Sequence, residues 1–166
     1  MNALRNSRLL KLGDFEVWRR RGAASLLLAA ALIIAYWILW VLDRGAVASA
    51  HNPSYTAFEQ AFPLADAWLL GAALTAAIQL WRRRPSALLW VSVVGGAGMY
   101  LFSMDVLYDI QHGIYANGHG GVIELAINIA TAALSIGGMS AGWYFRHHLD
   151  AGSPSSSSSS APSQGL

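Results

Sequence analysis

The segment Ser103-Met104-Asp105-Val106-Leu107-Tyr108-Asp109-Ile110-Gln111-His112 holds the densest group of side chains in this chain able to bind or move a charge. At 100° per residue, Asp105, Tyr108, Asp109 and His112 fall within about 100° of arc, a single stripe of a helix. Further along, Glu124, Asn128, Thr131 and Ser135 line up within about 60° by the same arithmetic. Asp105 and Asp109 are the informative pair. Two carboxylates at i, i+4 repel each other, and in the last turns of a helix the negative end of the dipole adds to the penalty. An offset is required: Arg44, a protonated His112, a bound cation, or protonation of one carboxyl.

Four kinds of chemistry suit such a stripe. A structural network would pair Asp105 or Asp109 with Arg44 and Tyr108. A metal site would draw on Asp105, Asp109 and His112, with Glu124 as a further oxygen donor: oxygen ligands suit Ca, Mg or Mn, and an added imidazole suits Zn. A proton relay would use neighbouring buried carboxylates. Acid–base catalysis on a lipid or isoprenoid would use Asp105, Asp109 or Glu124 together with His112. No sequence feature names a cofactor.

The elements that must position these residues are apolar. A bilayer core about 30 Å thick takes roughly 20 apolar residues per helix, and four windows meet that length: Ala23–Leu42, Phe62–Leu80, Ala87–Leu107 and Gly121–Tyr144. The composition agrees, with 55% hydrophobic and only 12% charged residues, where soluble domains carry about 25% charged. Counted at 1.5 Å per residue, Asp66, Asp105 and Glu124 lie within roughly 5–10 Å of one membrane boundary. Asp66 and Glu124 read as first-turn acids, which a helix dipole stabilises without any function. The candidate polar pocket is therefore Asp66, Asp105, Tyr108, Asp109, His112, Glu124 and Asn128.

Charge gives the direction. Every Lys and Arg except Arg44 falls in the N-terminal segment, in Arg82-Arg83-Arg84, or at Arg146, while Asp43, Glu59, Asp66, Asp105, Asp109 and Glu124 fall at the opposite span ends. The positive-inside rule then predicts an all-α integral membrane protein, a four-span antiparallel transmembrane helix bundle with both termini cytoplasmic and connections of about 20, 6 and 12 residues. A bacterial cytoplasmic membrane is the expected location. The formal net charge of +2 is explained by topology and anionic lipid rather than by nucleic acid.

The chain has no cysteine, which excludes disulfides, thiolate metal sites, S-palmitoylation and quinone-linked thiol oxidoreductases of the vitamin K epoxide reductase type. Ala48-Ser49-Ala50 resembles a signal-peptidase site, yet the preceding apolar run exceeds the 7–15 residues of a signal core, so the first span reads as an anchor.

Three regions follow: a basic segment 1–21, read as either a surface-lying amphipathic helix or a disordered flank, a helical domain 22–148, and a disordered Ser-rich tail 149–166. Ser54–Phe62 reads as a short surface or re-entrant helix ahead of Pro63. Gly95, Gly96 and Gly98 in the third span, and Ser135, Gly138 and Gly142 in the fourth, form small-residue seams suited to close helix approach. The tryptophans read as interfacial anchors. The expected partners are membrane lipids, a small ligand or cation in the polar pocket, and a second copy or partner membrane protein against the glycine faces. The corresponding functions are ligand or cation binding, an accessory subunit, or the membrane-embedded enzyme.

Overall fold

A computed structural model describes residues 2–48 and 50–147, with side chains described from residue 13 onward. The Ser-rich tail lies outside these residues, as do the side chains of the first twelve. The described chain is all-helical: α1 (Asn2–Leu42), α2 (Pro53–Glu59), α3 (Pro63–Trp81), α4 (Ala87–His112) and α5 (Gly118–Tyr144), with 3₁₀ turns at Arg44–Ala46 and Ile114–Ala116. Four helical segments are long and apolar enough to cross a membrane: Gly13–Leu42, Pro53–Trp81, Ala87–His112 and Gly118–Tyr144.

Local sequence sets most of the boundaries. Asn52 caps α2 by accepting from the Tyr55 backbone N–H at 2.8 Å, and Pro53 takes the first helical position, where its missing donor costs nothing. Pro63 does the same for α3. Gly113 ends α4 in the left-handed region at φ 65°, its N–H reaching the Asp109 carbonyl. The tight turn after α3 puts Arg83 at φ 53°, an unusual conformation for a residue with a side chain.

The helices form a row in which α1 packs on α3, α3 on α4, and α4 on α5. Its two ends meet where Trp18 packs at a tilt against Phe145, ring centroids 5.3 Å apart, and Phe15 lies 5.8 Å from the same ring. The small-residue seams do what their composition predicts at Gly95 and Gly98: a Cβ at either position would collide with Met139 or Ser135 of α5. Gly96 faces open space and takes no part. Large apolar side chains such as Leu28, Leu32, Leu64 and Val122 remain more than half exposed around the outside of the bundle.

Three expectations are corrected. Residues 13–21 do not lie flat on a surface: α1 is one continuous helix, and Phe15 joins Ala23, Ala76, Leu80, Ala87, Val91 and Phe145 in a buried cluster. Arg19 explains the attachment. Its guanidinium is buried, donates to the Leu80 and Trp81 carbonyls at 3.0 Å each, and pairs with Glu16 at 2.8 Å. It thus satisfies carbonyls that the C-terminus of α3 leaves free. Second, Glu124 is not a first-turn acid, because α5 already begins at Gly118, whose φ of 57° a glycine adopts without strain. Third, Trp40 is no membrane-facing anchor; it is 5% exposed, inside an aromatic cluster.

Candidate functional site

Along the helix axes, the two ends of the bundle differ in charge. At one end sit Arg19, Arg82, Arg83 and Arg84, with Glu16 bridged to Arg19 and Arg83. Carboxylates gather at the other. Asp105 on α4 is close enough to feel the charges of Glu124 on α5, Glu59 on α2, Asp109 on its own helix and Asp66 on α3. Four elements therefore converge on one region, which sequence spacing placed on helix faces but did not assemble.

Each acid is held differently. Asp66, in the first turn of α3, accepts from the Trp37 indole N–H at 2.8 Å. Glu59 closes the last turn of α2 and accepts from the Tyr36 hydroxyl at 2.7 Å. Asp109 is 2% exposed and accepts from the Asn128 amide at 3.0 Å; the Tyr115 hydroxyl also bonds it. That same Asn128 nitrogen reaches the Tyr115 oxygen at 3.0 Å, and the Asn128 Oδ1 is buried without a partner among the described residues. Among the described residues, Asp105 makes no side-chain hydrogen bond or ion pair, although it is half-buried.

Aromatic rings enclose this group. Phe58 of α2 stacks on Tyr108 at 3.9 Å, and Tyr108 stacks in turn on His112 at 3.9 Å. Tyr55, Trp40 and Tyr108 are buried together. The His112 Nδ1 lies 2.9 Å from the Tyr108 carbonyl, which only accepts, so that nitrogen carries a hydrogen. Nε2 is then the nitrogen left for other partners. Near these loops, Ala48, Ala50, His51, Asn52, Asn117 and Gly120 line an open depression of about 500 Å³. None of the five carboxylates lines it.

The predicted residues thus come together unevenly. Asp66, Asp105, Asp109, Glu124 and Asn128 belong to one polar group. Tyr108 stacks between Phe58 and His112, and the His112 imidazole is near enough to Asp109 to act on its charge. Arg44 does not offset the Asp105–Asp109 pair: its guanidinium lies over the Trp40 ring at 5.0 Å, and no ion pair among the described residues joins it to either acid. Asp105, Asp109 and His112 do not converge as metal ligands; among the described residues no three His, Asp or Glu side chains do.

Sequence reasoning missed Tyr36, Trp37 and Tyr115 as donors, and left Glu59 outside the pocket. Aromatic residues near a span end carry the same signature whether they anchor in lipid or donate to an acid on another helix. The Tyr115 hydroxyl is pushed above its ordinary value, first by burial and then by the adjoining Asp109 carboxyl, so it remains a donor.

No protein-family model, curated protein or solved structure matches this chain.

Proposed function

We propose that this is an integral protein of a bacterial cytoplasmic membrane, with both termini cytoplasmic, whose outward-facing acidic end binds a small organic cation such as a protonated amine. The observation that carries the reading is Asp105: a half-buried carboxylate among four others, with no cation or donor of its own among the described residues. Like charges held together at a membrane boundary are costly, and residues so placed mark ligand or ion paths. The scattering of the acids favours an extended cation over a metal ion, because no three of them reach one point. Rings of Tyr36, Trp37 and Phe58 lie beside these acids and are of the kind on which an ammonium group is stabilised. The orientation follows from the arginines at the other end, which the positive-inside rule keeps in the cytoplasm.

Thermal stability of the detergent-purified protein tests this. Benzyltrimethylammonium and a series of primary amines should raise Tm in the wild type, and Asp105→Asn should lose at least tenfold in apparent affinity, about 1.4 kcal/mol. A panel of amines with no effect on wild-type Tm, or an effect that Asp105→Asn leaves intact, overturns the assignment.

A further inference from the structure

Asn128 and Asp109 carry an arrangement that the amine site does not need. Both are buried, at 1% and 2% exposure. The Asn128 Nδ2 donates to Asp109 Oδ2 and to the Tyr115 hydroxyl, at 3.0 Å each, so both of its hydrogens are used. Oδ1, on the same carbon, lacks a donor among the described residues. Planar amide geometry keeps Oδ1 about 2.3 Å from Nδ2, the atom that donates to Asp109. Buried amide oxygens are normally bonded, and an orphan calls for an explanation.

Turning the amide over does not supply one. It would set Oδ1 against Asp109 Oδ2 and the Tyr115 oxygen in place of the donor that both accept from, so the orientation with Nδ2 toward them is kept. The charged groups facing Asp109 do not neutralise it with a buried cation either. Glu124 on α5 and Asp105 on α4 are acids, Tyr115 is a neutral donor, and His112 is an exposed imidazole whose Nδ1 is committed to the Tyr108 carbonyl. The described ion pairs both lie at the opposite end of the molecule.

The geometry points to Asp109 as a proton-binding residue, held as the acid half of an acid–amide pair with Asn128. A proton on the second carboxyl oxygen donates to Oδ1 while Nδ2 donates back to Oδ2. Two parallel hydrogen bonds then close the pair, the orphan acceptor is satisfied, and no net charge is buried. Binding takes up one proton and breaks no covalent bond. The ligand is the proton itself, and the pair carries it whether or not an amine meets Asp105. The two assignments therefore fail separately.

Infrared spectroscopy of the full-length protein in detergent reads the carboxyl directly. At neutral pH the wild type should show a hydrogen-bonded carboxylic-acid carbonyl band that shifts in D₂O. Asp109→Asn should abolish that band. An amide at 109 can pair with Asn128 as the acid does, so the variant retains its fold. Asn128→Leu provides a second arm, in which the acid band persists at a higher frequency because its amide partner is gone. Overturning results are the absence of an acid band in the wild type, a band that survives both substitutions unchanged, or a band that sodium chloride removes at constant pH and choline chloride does not. The last of these would assign the oxygens to sodium.

Discussion

Tyr115 shows how one hydroxyl ties the acidic end together, since it bonds Asp109 and receives Asn128 from a turn that neither helix contains. Its removal in Tyr115→Phe should cost about 1 kcal/mol at neutral pH, the value of an ordinary hydrogen bond. The pH dependence has a definite sign. The hydroxyl is raised above its ordinary value, so its contribution is complete below about pH 10 and is lost as pH rises through the higher folded value. Melting curves of wild type and Tyr115→Phe should therefore differ near neutrality and converge at strongly alkaline pH. A gap that stays constant would show that ionisation of this hydroxyl is not linked to folding.

Two junctions between helices should be unusually sensitive. A Cβ at Gly121 would come within 2.5 Å of the Ile114 carbonyl oxygen and 2.7 Å of that of Tyr115. Both obstacles are backbone, which does not swing aside. Gly121→Ala should destabilise by about 1–3 kcal/mol and, by displacing the Ile114–Ala116 turn, carry Tyr115 away from Asp109. An unchanged melting temperature together with an intact Tyr115 signal would refute that packing. At the basic end, Arg19 joins α1 to the last carbonyls of α3. Arg19→Met should cost about 2–3 kcal/mol, the range for hydrogen bonds to a charged group. Arg19→Lys should recover only part of that loss, because an ammonium lacks the planar fork that reaches two carbonyls and a carboxylate together. Full recovery by lysine would reduce the interaction to its charge.

The proposed orientation has a direct check, since the chain has no native cysteine. Ala57→Cys on α2 and Asn117→Cys beside α5 should react with a membrane-impermeant maleimide added outside intact cells. Ser86→Cys, in the turn between α3 and α4, should react only after the membrane is opened. The reverse pattern would place the acids in the cytoplasm, where the amine reading loses its outward face.

Four apolar windows, Pro63 at the start of α3, and the glycine–serine seams were legible because they depend on neighbours in sequence: hydropathy over about 20 residues, a missing N–H, a missing side chain. The stripe of Asp105, Tyr108, Asp109 and His112 was legible for the same reason, as helical periodicity alone sets it. Tertiary structure decided which acids meet. Glu59 enters the group because α2 folds back over α4 through Phe58 and Tyr108, and Arg44 leaves it because its guanidinium lies over the Trp40 ring. Trp37 and Tyr36 become donors only once α1 lies against α3 and α2. Periodicity specifies a face of one helix, whereas a hydrogen bond between helices depends on their relative rotation and depth, which packing of the whole bundle sets.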